Sequence, residues 1–207
     1  MLAVTRGPVS DAGVDLLPTA GGTASPLCDN CQPVDWSPDG KRLLIRRGSP
    51  ARLYITDTAA RQETELAAHV AWNLVQGRFS PDGRWVAFHT MNTPAGRQVY
   101  VVPAFAKGPV AQDAWIPIVT DFGMHPAWTP DGTGLYYFSS RDGAFCVWLQ
   151  AVDAATKRPL GEPRPVHHFH NPRLQAGTGA VTTSYLADGY LYMTVTESTA
   201  NVWKLSR

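Results

Sequence analysis

The cysteines are the residues of this sequence whose type and spacing most directly suggest chemistry. Cys28 and Cys31 have the Cys-x-x-Cys spacing of redox and zinc sites, and the third cysteine of the chain is Cys146. A structural zinc site needs four ligands, so these cysteines do not predict one. Two interpretations stay open and are equally compatible with the sequence: a local disulfide formed in an oxidising compartment, and a pair of inert thiols.

A run of histidines offers a second set of groups that can bind metals. It reads His167-His168-Phe169-His170 and follows a Pro-rich stretch with no obvious carboxylate nearby. Because metal-binding histidines normally act together with further ligands, we expect these to be exposed or hydrogen-bonded instead. The sequence therefore predicts no metal and no cofactor.

Catalytic motifs are absent from the sequence. Asp121-Phe122-Gly123 matches the metal-binding tripeptide of protein kinases, but no His-Arg-Asp loop, Gly-rich loop or strand lysine accompanies it. P-loop and nucleophile-elbow spacings do not occur either. We interpret the tripeptide as a coincidence and predict no catalytic residue, which favours a protein that is not an enzyme.

A repeated turn sets the elements that must position any site. Three near copies of one phrase begin at Trp36, Phe79 and Trp128, and a degenerate fourth copy begins at Tyr185. In the three closer copies, Ser or Thr starts the turn, Pro presets φ, Asp bonds back to the backbone and Gly takes a positive φ. The phrase predicts tight hairpins between antiparallel strands. The predicted turn residues are Asp39, Gly40, Asp82, Gly83, Asp131, Gly132, Asp188 and Gly189.

The strands around the turns repeat as well. Each Gly is followed by a run of strong β-formers and, 14 to 17 residues after the Gly, by an aromatic residue inside a second apolar run. The turns recur at intervals of 43, 49 and 57 residues, which suits a four-stranded propeller blade better than a helical repeat. The predicted units, all within a single domain, are approximately 1–31, 32–75, 76–122, 123–172 and 173–207.

This repeat resembles the WD40-like, TolB-type (PD40) β-propeller family, whose blades carry an aromatic-Ser-Pro-Asp-Gly turn between their first and second strands. The resemblance covers most of the chain and implies an all-β propeller of four-stranded antiparallel blades. It is weak as to function, because such blades occur in Tol-system periplasmic proteins, in gating domains of prolyl-oligopeptidase-like peptidases, and fused to bacterial kinases and regulators. It also implies a periplasmic or otherwise extracytoplasmic location, although we expect no signal peptide in this segment.

The first and last of the five units are predicted to be partial. Residues 1–29 match the later strands of a blade without its first strand, and residues 179–207 supply three strands. Because a closed ring needs its terminal strands to complete one blade, we expect the chain to be a fragment of a larger propeller. The alternative is a small five-bladed ring with irregular closure.

Composition agrees with a folded, β-rich domain. Of the 207 residues, 44% are hydrophobic and 17% charged, and the 18 Gly and 17 Pro suit many short strands and turns. A formal net charge of +1 gives no overall attraction for nucleic acid, and no run of 18 apolar residues predicts membrane insertion by this segment. The sequence does not indicate an oligomeric state.

Candidate binding residues follow from propeller geometry. The segment that leads into each innermost strand opens onto the central channel, and we call this end of the ring the channel mouth. Its predicted residues combine amide, aromatic and basic groups suited to a peptide or a small polar ligand. They are Asn30, Trp72, Asn73, His125, Arg173 and Gln175. The aromatic residues just before the turns are expected to pack between blades instead.

Two classes of function are compatible with these features. A non-catalytic interaction or ligand-sensing module, binding a protein or peptide partner at the channel mouth, is favoured because repeat architecture occurs here without a catalytic motif. The alternative is the propeller domain of a peptidase-like hydrolase, or a propeller lyase that uses channel-facing histidines such as His125 with a metal.

Overall fold

The chain folds into antiparallel sheets that follow one another in sequence order. The computed structural model describes residues 1–8, 12–106, 108–169, 174–176, 184–187 and 190–197. Sheet 1 has three strands, β1 Leu2–Arg6, β2 Gly13–Leu17 and β3 Ser25–Cys28. Sheets 2, 3 and 4 have four strands each.

Sheets 2 to 4 share one topology, in which strands adjacent in sequence are hydrogen-bonded neighbours. Sheet 2 contains β4 Gln32–Trp36, β5 Arg42–Arg47, β6 Arg52–Asp57 and β7 Glu63–Ala67. Sheet 3 contains β8 Asn73–Phe79, β9 Trp85–Met91, β10 Val99–Pro103 and β11 Ile116–Val119. Sheet 4 contains β12 Met124–Trp128, β13 Gly134–Ser139, β14 Cys146–Val152 and β15 Pro159–His167. The prediction of four-stranded antiparallel blades is confirmed.

The described residues beyond sheet 4 form two strand pairs. β16 Leu174–Ala176 pairs with β19 Val195–Glu197, and β17 Ser184–Ala187 pairs with β18 Tyr190–Met193. The helical structure in the described residues is a single 3₁₀ turn at Gln112–Ala114. Over that same part of the chain, no helix has the length and apolar character needed to span a bilayer.

The first strand of each four-stranded sheet lies against the first strand of the next. β4 contacts β8 and β8 contacts β12, and β12 also contacts β17 of the strand pairs that follow. These first strands are therefore the innermost ones, and the sheets radiate from them as propeller blades do. The later strands of each sheet lie farther from the axis.

Apolar side chains fill the space between neighbouring sheets. The core between sheets 2 and 3 includes Leu44, Phe79 and Phe88, and that between sheets 3 and 4 includes Trp128 and Tyr137. Burying one such side chain contributes about 1.5–3 kcal/mol, so these layers hold the sheets together. Phe79 and Trp128, which precede their turns, pack between blades as expected.

The repeated turns have one hydrogen-bonding pattern. In the first copy, the Oγ of Ser37 donates to Asp39 and accepts from the backbone N of Arg42, and the N of Gly40 donates to the carbonyl of Ser37. The copies at Ser80 and Thr129 repeat this pattern. Their glycines have φ values of 67° to 69°, as the hairpin prediction requires. Asp188 and Gly189 lie outside the described residues.

The shared pattern has an electrostatic consequence for the turn carboxylates. The hydroxyl of Thr129 and the backbone N of Thr133 both donate to Asp131, which lowers the pKa of Asp131 to about 2. Each turn carboxylate is thus an ionised acceptor at neutral pH.

Replacing Gly83 by Val tests the turn assignment. Gly83 has a φ of 69°, where a β-branched side chain is strained, and its Cβ would also lie 3.4 Å from Pro38 of the preceding turn. We expect Gly83→Val to lower the free energy of unfolding by about 1–3 kcal/mol in urea titrations. Gly108→Val is the control, since its Cβ would meet no atom within 4 Å and its φ lies outside the positive range that strains a side chain. Equal stability of the two variants would contradict the assignment.

Candidate functional site

Antiparallel pairing gathers several loops at the channel mouth. β4, β8 and β12 begin at this end, and their partners β5, β9 and β13 return to it. The β5–β6, β9–β10 and β13–β14 loops therefore surround the segments that lead into the innermost strands. The repeated turns lie at the opposite end.

A β-bulge shapes each innermost strand near the mouth. Register shifts interrupt the pairing of β4 with β5, of β8 with β9, and of β12 with β13. At the matching position of the last two, Gln76 and His125 both have a φ of 53°, which is unusual for residues other than Gly. Bulges re-aim side chains and are common beside functional sites, so these strands present their side chains irregularly here.

A cavity of about 450 Å³, lined by several polar side chains, opens at the mouth between sheets 1, 2 and 3. Its volume lies in the range of about 300–1,000 Å³ that is usual for small-ligand pockets. The predicted residues Asn30 and Asn73 both contribute to the wall. The other polar side chains that line it are Gln32, Arg46, Arg47 and Ser49.

Arg46 is the charged group of this cavity that has only a neutral partner. Its Nε donates to the Oε1 of Gln32 at 2.7 Å, and Nη2 contacts the same oxygen. The neighbouring Arg47, by contrast, forms a 2.6 Å ion pair with Glu63. Partial burial lowers the pKa of Arg46 from its usual value. Within the part of the chain that the structure describes, Arg46 has no carboxylate partner, which leaves its charge available to an anion.

The two asparagines supply further polar groups to the cavity. The Oδ1 of Asn73 accepts from the backbone N of Ala51 at 2.7 Å, which anchors that side chain to the β5–β6 loop. Asn30 is exposed and has a φ of 51°, a conformation that Asn tolerates better than most residues. Both side chains can therefore offer amide donors beside Arg46.

His125 is placed differently from the exposed contact residue that the sequence suggested. Only 5% of it is exposed, and its ring lies 5.3 Å from that of His89, whose Nδ1 accepts from the backbone N of His125. Burial, with Arg97 and Arg78 nearby, lowers the pKa of His125 to about 4. Burial likewise holds the pKa of His89 well below its usual value. Both imidazoles are neutral at pH 7, so the positive charge around them comes from the neighbouring arginine side chains.

Trp72, for which the sequence left binding and packing equally open, packs against the protein. Its ring stacks on His69 with 3.9 Å between centroids, and it covers the core between sheets 2 and 3. The Nδ1 of His69 accepts from the backbone N of both Ala71 and Trp72, so a local turn sets this stacking. Arg173 lies outside the described residues. Gln175 belongs to β16, a strand for which the structure describes the course of the backbone.

The cysteine pair and the histidine run, which the sequence analysis singled out, both have defined partners in the structure. Cys28 and Cys31 form a disulfide, which decides between the two alternatives for the Cys-x-x-Cys pair. The expectation of exposed or hydrogen-bonded histidines holds for His167 and His168: both are exposed, and Nδ1 of His168 lies 2.9 Å from Oδ2 of Asp142, a carboxylate that the sequence did not reveal as a partner. The partner is distant in sequence and is brought close by the β13–β14 turn.

Comparison with solved structures identifies the architecture. A protein assigned as TolB from Agrobacterium tumefaciens superposes with a TM-score of 0.70 at 21% identity, over 96% of this chain and 70% of that one. TolB from Acinetobacter baumannii gives a TM-score of 0.62 at 15% identity, over 94% of this chain and 48% of that one. The chain has the TolB-type β-propeller fold.

Other comparisons leave the function of this TolB-type propeller open. An uncharacterised protein from Agrobacterium fabrum is 26% identical over 133 residues, which are 63% of this chain and 43% of that protein. No protein-family model matches the chain. Prolyl endopeptidase and Vibrio parahaemolyticus oligogalacturonate lyase structures also match, with TM-scores of 0.52 and 0.56 at 20% and 12% identity. The fold is therefore shared by proteins with different activities.

Sequence reasoning missed the arginines at the channel mouth. It named the segments that lead into the innermost strands, whereas Arg46 lies at the end of β5, on the returning strand. The signal that could have found it is a charged pair, Arg46-Arg47, that follows the apolar run 43–45 just before a Gly-containing loop. The end of β5 and the β5–β6 loop form part of the cavity wall, so a search limited to the segments that lead into the innermost strands does not find Arg46.

A partly buried carboxylate on β4 joins the innermost strands of sheets 2 and 3 near the end with the repeated turns. Oδ2 of Asp35 accepts from the backbone N of Phe79 at 2.8 Å, and Nη1 of Arg78 donates to the carbonyl of Val34 at 3.0 Å. These bonds join sheets 2 and 3 directly. Desolvation nevertheless raises the pKa of Asp35 above its ordinary 3.8, against the opposing effect of Arg78.

The raised pKa of Asp35 predicts how a variant responds to pH. The folded state favours the protonated carboxyl, so the cost of ionising Asp35 is absent below pH 3.8 and grows as the pH rises through its folded pKa. Asn keeps an acceptor for Phe79, and we expect Asp35→Asn to gain stability relative to the unsubstituted protein as pH rises. Asp35→Ala, which loses the acceptor, should cost about 1–3 kcal/mol. Urea unfolding between pH 4 and 7 measures both effects.

Asp57 provides a control whose stability is expected to change with pH in the opposite direction. The backbone N of Ala60 and the backbone N of Ala59 donate to Asp57 and lower its pKa, so its contribution is present at neutral pH and lost as the pH falls. Asp57→Asn should therefore lose stability relative to the unsubstituted protein as pH rises. Parallel pH responses of the two Asn variants would contradict this account.

Proposed function

We propose that this TolB-type propeller is a non-catalytic binding module that holds a carboxylate-bearing peptide or protein segment at the channel mouth. The observation that carries the proposal is Arg46, a partly buried guanidinium whose partner in the cavity is the neutral Gln32. A guanidinium matches a carboxylate with two parallel hydrogen bonds, and such pairs strengthen when water is excluded.

The amides around Arg46 support the same ligand chemistry. Asn30 and Asn73 line the cavity and can donate to the peptide carbonyls on either side of the carboxylate. The cavity is large enough for one or two side chains, so the remainder of a partner would lie on the surrounding loops. An acidic side chain or a free C-terminal carboxylate would satisfy the site equally well.

The alternative is a hydrolase or lyase propeller acting through channel histidines, and the electrostatics disfavour it. His89 and His125 are 2% and 5% exposed, and the charged groups that depress the pKa of His89 include Arg97 and Arg46. A metal cation bound by these imidazoles would lie close to those guanidinium groups and be repelled.

A smaller cavity of about 240 Å³ lies at the opposite end of the propeller. It is lined by Arg42 and by the carboxylates Asp57 and Glu65, and these opposite charges favour neither an anionic nor a cationic ligand.

Peptide selection tests the proposed module. We expect a random peptide library captured on the purified protein to be enriched in Asp, Glu or free C-terminal carboxylates. Arg46→Gln should weaken binding of the selected peptides at least about tenfold, the scale expected when one charge-assisted hydrogen bond is removed. Arg84→Gln is the matched control, because Arg84 is exposed beside the second repeated turn and its replacement changes net charge equally.

Two results would contradict the proposal. Equal weakening by Arg46→Gln and Arg84→Gln would show that only overall charge matters. Turnover of peptides or oligosaccharides by the unsubstituted protein, abolished in His125→Ala, would favour the enzyme alternative. Circular dichroism of each variant shows that the fold is retained.

We further propose that the module works in an oxidising, extracytoplasmic compartment. The Cys28–Cys31 disulfide supports this location, because such bonds persist mainly outside the reducing cytoplasm. When the protein is isolated from its own cells and denatured without reductant, alkylation should modify Cys146 alone; with reductant, all three cysteines should react. Three reactive thiols without reductant would contradict the proposed location.

A further inference from the structure

Three side chains of types that can bind metals meet on the outer part of sheet 4, and they share no residue with the channel-mouth cavity. They are Asp142 on the β13–β14 turn, Cys146 at the start of β14 and His168 directly after β15. One ligand atom from each lies within 4.8 Å of the other two. Asp142 and His168 are 26 positions apart in the sequence. We call this group of a thiol, an imidazole and a carboxylate the sheet 4 triad.

Strand register explains how the triad forms. β14 pairs with β15 so that Val147 lies opposite His167, and β13 pairs with β14 so that Ser139 lies opposite Cys146. The residue after His167 therefore reaches the beginning of β14, where the tight β13–β14 turn places Asp142. The backbone N of Phe169 donates to the Sγ of Cys146 at 3.4 Å and ties the end of β15 to this point.

We propose that Asp142, Cys146 and His168 bind a divalent cation of the zinc type, and within the described part of the chain these three ligands leave one coordination position open. Thiolate and imidazole are the ligands that Zn²⁺ takes most often in proteins, and a carboxylate is its third common ligand. Calcium and magnesium prefer all-oxygen ligands, so the thiol disfavours them. Three protein ligands with one open position is the coordination of zinc sites that bind water or an exogenous ligand.

The distances permit such binding with small movements. Metal–ligand bonds of about 2.0–2.3 Å place tetrahedral ligand atoms roughly 3.5 Å apart. The ligand atoms of the triad lie within 4.8 Å, so shifts of about 1 Å in side chains bring them to that spacing. The cation would replace the hydrogen bond between His168 and Asp142, and the thiol proton of Cys146 would leave to solvent as the thiolate binds.

The surroundings suit a cation. The side chains of Asp142 and His168 are 22% and 45% exposed, which gives the ion access, while Cys146 is fully buried. The N–H of Phe169 stabilises a thiolate at Cys146 as an outer-sphere donor. Arg141, which precedes Asp142 on the same turn, is paired with Asp121 at 2.7 Å and lies over the Trp148 ring, so its charge is compensated.

Cobalt substitution tests the triad directly in the whole chain. Co²⁺ added to the oxidised protein without reductant should produce the near-ultraviolet charge-transfer absorption of a cobalt–thiolate bond, and Zn²⁺ should displace it stoichiometrically. We expect Cys146→Ser to abolish the absorption, and His168→Ala and Asp142→Asn to weaken Zn²⁺ binding at least about tenfold in calorimetry. His167→Ala is the matched control, since His167 is an exposed neighbouring imidazole outside the triad.

Several outcomes would overturn the proposal. These are the absence of a cobalt–thiolate absorption, its persistence in Cys146→Ser, and equal effects of His167→Ala and His168→Ala. A Cys28→Ser, Cys31→Ser double variant excludes the disulfide pair as the source of the signal. Because Cys146 is buried and its variant could misfold, Asp142→Asn on the exposed turn serves as the second variant. If it folds with an unchanged melting temperature and still binds Zn²⁺ as tightly, the triad is not the site.

Discussion

The structure depends on how each innermost strand packs against the next. The cores between sheets are continuous layers of Leu, Val, Phe and Trp side chains, and no four-stranded sheet of this size buries both its faces alone. Directional bonds then set the angle between sheets: the carboxylate of Asp35 accepts from the backbone of Phe79, and the indole N–H of Trp128 donates to the carbonyl of Arg78. Hydrophobic burial supplies the stability, and these few polar contacts determine how the blades align.

The two ends of the propeller are built by different rules. At the end with the repeated turns, Ser or Thr, Asp and Gly close each hairpin with the same bonds, and the second and third turns each lie against the Pro of the preceding one. At the channel mouth, loops of different length meet strands interrupted by bulges. A regular end stabilises the ring, while the irregular end offers cavities and side chains in unusual conformations, which is where binding sites are commonly found.

The electrostatics of the mouth follow from which basic residues are buried. His89 and His125 lose their charge because desolvation and neighbouring arginines disfavour the imidazolium. Arginine keeps its charge at any ordinary pH, even where burial lowers its pKa. The mouth therefore holds positive charge that does not change through the physiological range, and this charge favours anionic groups of a partner over cations. The sheet 4 triad has the opposite character, with a carboxylate and a thiol beside a compensated arginine.

The sequence alone determined the architecture, because turn chemistry and strand periodicity are local. The Pro-Asp-Gly phrases at Asp39, Asp82 and Asp131 specify their hairpins whatever surrounds them, and the interval between them indicates four strands. Asn30 and Asn73 were also within reach of this reasoning, since a propeller's innermost strands must begin at the channel. Tertiary structure alone decided what depends on packing between distant segments. It buried His125, placed Arg46 and the two asparagines around one cavity, and placed His168 beside Asp142 through the register of two strand pairs. Register and burial arise from many weak contacts summed over whole sheets, and no short stretch of sequence encodes them.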